Sequence, residues 1–241
     1  METNNPQEPD IFGAALRDYY NSNYTDDIVV HSSLTEDDEI PVPYLFREFD
    51  EMPVLEKKAL ELAKGKVLDI GSGAGSHSLY LQKKGLNVTG LDSSAGALKV
   101  AKERGLKKVV CSRLLDYKEG TYDTLLVLMN GTGIFERIKL AGRYLQHLKM
   151  LLNPKGQILI DSSDISFMYE EEDGSYWRDA SRDYYGEVTF SLSYKSEESP
   201  PFDWLYLDFK TLKKLSEENG FKCDLVAEGE HYDYLARLTK T

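Results

Sequence analysis

Apolar residues fall into two rhythms along this chain. Short apolar runs recur at 67–70, 87–91, 108–111, 124–129 and 157–161, as expected for strands buried on both faces. Between them, apolar residues return at three- and four-residue steps in segments that close on Gly85 and Gly105, the mark of amphipathic helices ending in a left-handed glycine. The clearest such helix carries Ile138, Ala141, Leu145, Leu148 and Leu152, and the turn Asn153-Pro154-Lys155-Gly156 separates it from the strand that follows. Strands alternating with helices predict a parallel sheet. A last helix, 209–219, ends at Gly220, and strands 221–227 and 232–238 follow, separated only by Glu228-Gly229-Glu230-His231. So short a link requires an antiparallel pair.

Two segments stand outside this rhythm. Upstream, Asp10 is placed to cap a helix with Phe12, Leu16 and Tyr19 or Tyr20 on one face. The signals over 21–39 are mixed, and the prolines of Ile40-Pro41-Val42-Pro43 predict an extended stretch before a short helix. A better-marked helix opens near Pro53, carries Leu55, Ala59 and Leu62, and stops before Gly65. Downstream, residues 165–207 are too long for a plain connection and richer in aromatic residues than the 11% of the whole chain. Within them 187–194 alternates like a strand, and 202–207 is placed to pair with it as a hairpin over the carboxyl edge of the sheet. Such a flap either packs the core or walls a substrate site, offering Tyr176, Trp177, Tyr184, Tyr185, Trp204 and Tyr206.

The candidate chemistry centres on Val67-Leu68-Asp69-Ile70-Gly71-Ser72-Gly73-Ala74-Gly75. An apolar strand breaks here into alternating glycines, whose missing Cβ atoms let backbone amides approach a ligand, and the next helix points its positive end the same way. Asp92 ends the following strand about 20 residues after the glycines begin, where an acid accepts both hydroxyls of a ribose. Its competing role is a turn or cap acid, which Ser93 or Ser94 would fill equally well.

This order of residues resembles the S-adenosylmethionine-binding core of class I methyltransferases. A dinucleotide dehydrogenase would carry its third glycine at 76, which is Ser76, and a phosphate loop needs a Gly-Lys-Ser or Gly-Lys-Thr that is absent. The resemblance covers residues 54–164 and 208–240. It implies an α/β, doubly wound, Rossmann-like and mostly parallel seven-stranded sheet with an antiparallel terminal strand. Residues 1–53 would be an N-terminal helical cover and 165–207 an inserted β-hairpin flap of the same single domain.

Residue by residue, the resemblance implies S-adenosyl-L-methionine as cofactor, with Asp69 orienting the methionine ammonium and Gly71, Ser72, Gly73 and Gly75 meeting the methionine end. Asp92 with Ser93 would hold the ribose. Ser112 and Arg113, with Asp116 as a further candidate, align with the adenine contact. Asn130 would line the methyl-transfer site, or else form a turn before Gly131. Should the acceptor arrive protonated, His77, Asp161 and the nearby Asp164 are candidate bases, with helix or turn capping as their alternative roles.

Composition narrows the acceptor. Acidic residues outnumber basic ones, 41 to 29, for a formal net charge of −12. That field repels phosphate backbones and anionic membranes, so a small-molecule acceptor is expected, with neither nucleic acid nor membrane as partner. The Asn-Pro-Pro-Tyr and Pro-Cys motifs of base, glutamine and pyrimidine-carbon methylation are absent. His31, His147 and His231 lack partners at metal-ligand spacing, so no metal is expected. Cys111 and Cys223 sit in apolar runs and read as buried free thiols. The polar start and short apolar runs point to a soluble cytoplasmic protein. Two rival functions remain, a non-catalytic S-adenosylmethionine binder and a nicotinamide-dependent dehydrogenase.

Overall fold

A computed structural model describes residues 8–170 and 182–241. Tyr176 and Trp177, most of the acidic run at 170–173 and most of the N-terminal lead lie outside the described residues. From the amino end come α1 (Ile11–Tyr20), β1 (Ile28–Ser32), β2 (Asp38–Ile40) and α2 (Val54–Leu62). The core follows as β3 (Lys66–Ile70), α3 (Ser76–Lys83), β4 (Asn87–Asp92), α4 (Ala95–Glu103), β5 (Val109–Cys111), β6 (Tyr122–Val127), α5 (Ile138–Leu151) and β7 (Leu152–Ser163). The flap holds β8 (Glu187–Tyr194), β9 (Glu197–Glu198) and β10 (Phe202–Leu205), and α6 (Phe209–Glu218), β11 (Phe221–Glu228) and β12 (Asp233–Lys240) close the chain.

The main sheet has seven strands in the order β11-β12-β7-β6-β3-β4-β5. Neighbours from β7 to β5 run parallel, and β12 is antiparallel to both β7 and β11. The apolar runs are buried on both faces. Leu68, Leu125 and Ile158 join Leu145 and Leu148 of α5 in one cluster, while their neighbours Val67, Leu126 and Leu159 join Leu55 and Ala59 of α2 in another. Period-two alternation thus feeds two helical layers from three consecutive central strands.

Three details depart from the sequence pattern. The stretch 153–156 belongs to β7, looping out of its ladder where the register slips between Tyr122 and Thr124, so Pro154 has no ladder hydrogen bond to lose. β6 stops at Val127, because Met129 turns the chain aside with φ +67°. Cys111 is exposed on the edge strand β5, whereas Cys223 is buried.

The cover contains the expected helix and adds strands where the pattern was mixed. β1 and β2 join β8 and β10 in a second, antiparallel sheet of order β10-β8-β1-β2, with β9 on β8. Cover and flap are therefore one roof. Ile11, Leu16 and Ile28 of the cover share a cluster with Leu192 and Tyr194 of the flap and Ala97 and Val100 of α4. α1 crosses α4 where a Cβ on Gly96 would come 2.6 Å from the Gly13 Cα. One carboxylate fixes that crossing: Asp10 accepts Gly13 N at 2.9 Å, Gly96 N at 2.9 Å and the Ser94 hydroxyl at 2.6 Å. No helix among the described residues is long and apolar enough to cross a membrane.

Because Asp10 caps α1 and also serves the first turn of α4, Asp10→Ala is expected to cost about 1 to 2 kcal/mol of unfolding free energy, with Asp10→Asn losing less. Urea unfolding measures this, and an unchanged midpoint in Asp10→Ala would show that apolar packing alone holds the cover.

Candidate active site

β3 runs into a turn that only glycines accommodate, with φ +77° at Gly71 and +51° at Gly73. The amides of Gly71 and Ser72 donate to Leu91 O at 2.8 and 3.1 Å, hanging the turn on β4. A Cβ built on Gly71 or on Gly73 would meet nothing within 4 Å, so both face open space. Asp92, at the end of β4, accepts Gly73 N and Ser94 N, each at 2.8 Å. Burial raises its pKa, and those two amides work against the rise.

In front of this turn lies a cavity of about 610 Å³. Of the residues singled out by sequence, Gly71, Asp92, Ser93, Ser112, Arg113 and Asp116 line it. Gly133 and Glu136, after β6, line it too, and Phe202 and Trp204 of the flap form its roof. The Trp204 ring lies so close over Gly133 that a methyl there would overlap it.

Two predicted contacts are turned elsewhere. A Cβ on Gly75 would sit 3.2 Å from the Ala101 Cβ, so the missing side chain lets α4 approach the turn. The Ser72 side chain lies against β4, where a Cβ on Gly90 would come 2.8 Å from its Oγ, and that hydroxyl is buried with no partner among the described residues.

Known proteins share this arrangement. Residues 46–226 match the family model described as methyltransferase domain. The crystal structure of an S-adenosylmethionine-dependent methyltransferase from Bacteroides fragilis, in complex with S-adenosyl-L-homocysteine, superposes with a TM-score of 0.91 at 46% identity, over 98% of this chain and 97% of that one. The chain belongs to the methyltransferase domain family. The CcbJ methyltransferase of Streptomyces caelestis shares the fold, with a TM-score of 0.56 and 15% identity over 80% of this chain and 98% of that one. A 23S rRNA (uracil(747)-C(5))-methyltransferase of Pyrococcus abyssi is 39% identical over 82 residues, which is 32% of this chain. The match spans 20% of the length of that curated relative.

At the other end of the methyltransferase site, Met129 and Asn130 are consecutive left-handed residues, φ +67° and +56°. Such a turn is costly without support. Asp161 supplies it: its carboxylate accepts Met129 N at 3.0 Å and Gly131 N at 2.8 Å. Asp161 is buried, which pushes its pKa up to about 6 against the pull of these amides. Its oxygens accept the chain's own backbone amides, so in this structure it braces the loop. Asn130 accepts the Ser163 hydroxyl at 2.7 Å, and Asp164 accepts Ser166 N and the Tyr185 hydroxyl at 2.9 and 2.8 Å.

Asp69 and His77 lie behind the glycine turn rather than on the cavity wall. Asp69 is buried and accepts the Ser78 hydroxyl at 2.7 Å; burial raises its pKa, opposed by His77. His77 Nε2 sits 2.6 Å from Glu56, which Arg47 also grips at 2.6 Å through both carboxylate oxygens. All three side chains are buried. Burial lowers the His77 pKa, but the Glu56 hydrogen bond and the Asp69 carboxylate outweigh it, so His77 keeps its proton to higher pH than an ordinary histidine. Burial raises the Glu56 pKa, yet its two cationic partners bring it below the usual range. Paired with Glu56, the imidazole is a strut beneath the turn. The sequence reading missed Arg47 and Glu56, because a lone acid among Leu55 and Ala59 reads as a helix-surface residue.

The Asp161 pKa carries a pH signature. Its folded value of about 6 exceeds its unfolded value of 3.8, so the folded state binds the proton more tightly and ionisation costs stability. As pH rises from about 4 to about 6, wild type is expected to lose about 2 kcal/mol relative to Asp161→Asn, whatever the offset between them at pH 4. Urea unfolding of both proteins across that range tests it, and parallel curves would refute the raised pKa.

Proposed function

We propose that this chain transfers the methyl group of S-adenosyl-L-methionine to a small-molecule acceptor held beneath the roof of cover and flap, the whole of residues 1–240 acting as one domain. The observation that carries the reading is the shared cavity, where Gly71, Asp92 and Ser112 form one wall and the flap residues Phe202 and Trp204 the other. The groups present fit the cofactor. Open space fronts Gly71 and Gly73, a carboxylate stands at the end of β4, and the similar Bacteroides fragilis structure is a complex with S-adenosyl-L-homocysteine.

When bound, S-adenosylmethionine supplies an electrophilic methyl carbon on a sulfonium. In this reading Asp92 accepts the ribose hydroxyls with Ser93 beside it, and Ser112, Arg113 and Asp116 bound the adenine end. The open space before Gly71 and Gly73, with the Asp69 carboxylate behind the turn, takes the methionine end. Asn130, held by Ser163, and Tyr185, held by Asp164, border the space for the acceptor. With His77 and Asp161 both committed to neighbours, the residues act by orienting two reactants and excluding water, which is enough for in-line displacement. Charge is lost as the sulfonium becomes a thioether, so a dry aromatic wall does not oppose the reaction.

A fixed roof favours a small acceptor. Arg137 binds Asp203 of β10 in a fork at 2.6 and 2.8 Å, Thr132 donates to Leu205 O at 2.8 Å, and Glu187 of β8 accepts Ile138 N at 2.9 Å. The net charge of −12 also opposes a polynucleotide.

Two measurements test the proposal. Asp92→Ala is expected to weaken S-adenosylhomocysteine binding by about 1 to 3 kcal/mol in calorimetric titration, and an unchanged affinity in folded protein would remove Asp92 from the site. Incubation with methyl-tritiated S-adenosylmethionine and a cell extract, split afterwards into metabolites, protein and RNA, is expected to label the metabolite fraction. Label in RNA would overturn the small-molecule reading, and absence of any transfer in protein that binds the cofactor would favour a non-catalytic binder.

A further inference from the structure

Between β6 and α5 the backbone makes a turn that L-residues rarely adopt. Glu136 has φ +63° and ψ −66°, and Arg137 N donates to Phe135 O at 2.7 Å across it. This is the left-handed form of the three-residue γ-turn, a strained conformation that persists only where its surroundings hold it. The holders are on both sides. The Tyr144 hydroxyl, on a ring that is buried and stacked on Phe135, donates to Glu136 Oε1 at 2.7 Å. Arg137, the next residue, is forked onto Asp203 of the flap.

The turn sets a carboxylate into the cavity wall. Tyr144 occupies one oxygen of Glu136, and no hydrogen bond to the other is found among the described residues. The cavity is also specific in what it contains: Asp92, Ser112 and Asp116 line it, while Asp69, Asn130 and Asp161 do not. Gly71 is the one residue of the glycine turn on its wall, so the cavity is chiefly the nucleoside half of the proposed cofactor site, and Glu136 shares that wall with Ser112, Arg113 and Asp116.

We infer that Glu136 reads the amino group of the cofactor's base, and that the strained turn exists to hold it there. The inference rests on the cofactor reading above. An ionised carboxylate only accepts hydrogen bonds. On the edge of adenine the exocyclic amino group is the donor, whereas N1, N3 and N7 are acceptors. Arg113 and Arg143, on the same wall, have only donors to offer and suit those ring nitrogens. A base with oxygen at position 6 would set a carbonyl against the carboxylate and leave that acceptor without its donor, the kind of mismatch that discriminates between bases.

The test is calorimetric titration of the folded protein with S-adenosylhomocysteine and with its 6-oxo analogue, S-inosylhomocysteine. Wild type is expected to prefer the adenosyl compound by about tenfold or more. Glu136→Gln keeps the length and an oxygen for Tyr144 but offers an amide N–H₂ to the 6-oxo group, so the preference should shrink to about threefold or less. Glu61→Gln, on the exposed face of α2 and away from the cavity, should keep the wild-type ratio. A Glu136→Gln protein that retains the full ratio overturns the inference, as does an equal collapse of the ratio in Glu61→Gln. If wild type binds neither compound, the cofactor reading falls and this inference with it. If it binds both equally, the cofactor reading stands and only the inference falls.

Discussion

Asp92 accepts amide hydrogens from Gly73 and from Ser94, and through those bonds the turn after β3 and the turn after β4 share one anchor. The same device recurs along the carboxyl edge. Asp161 gathers the amides of Met129 and Gly131, and Asp10 gathers those of Gly13 and Gly96. In each case an acid lies where backbone donors converge, the geometry that gives charge-assisted bonds. For Asp92 and Asp161 burial works in the opposite sense and raises the pKa. A chain carrying net −12 thus spends some of its acids internally, on loops that an uncharged side chain would hold less well.

Below the glycine turn the problem is inverted, because charges there are deeply buried and must satisfy each other. Arg47, Glu56 and His77 do so as a contiguous row, with Asp69 near enough to influence His77. Removing one member would leave another uncompensated in a dry environment, which costs far more than an exposed ion pair contributes. The row links the segment before α2, α2 itself and the first turn of α3, so the cofactor turn rests on a charged foundation instead of an apolar one.

Among the described residues, three of the six non-glycine residues with positive φ fall in one stretch of chain. Met129, Asn130 and Glu136 all have positive φ and lie between β6 and α5, and each is held from outside: by Asp161, by Ser163 and by Tyr144. The flap presses on the same stretch through Trp204 over Gly133 and Asp203 on Arg137. Roof and loop therefore support one another, and the flap is better described as a wall of the site than as a lid.

Much of this was legible in the residues alone. The runs at 67–70 and 87–91, the glycines that close α3 and α4 and the four-residue link before β12 are local signals, set by side-chain burial and backbone sterics. They specified a mostly parallel sheet with an antiparallel end, the turn at Gly71 to Gly73 and the place of Asp92. What they left open depends on partners far away in sequence. β1 becomes a strand because Val30 finds Leu192 in the flap. His77 becomes a strut because Glu56, gripped by Arg47, meets it, and Asp161 becomes a brace because the amides of another loop point at it. Gly75 and Ser72 turn inward because α4 and Gly90 lie behind them. Periodicity records which residues are buried, but the sign and company of a buried polar group are decided only when the tertiary structure brings its neighbours within hydrogen-bonding distance.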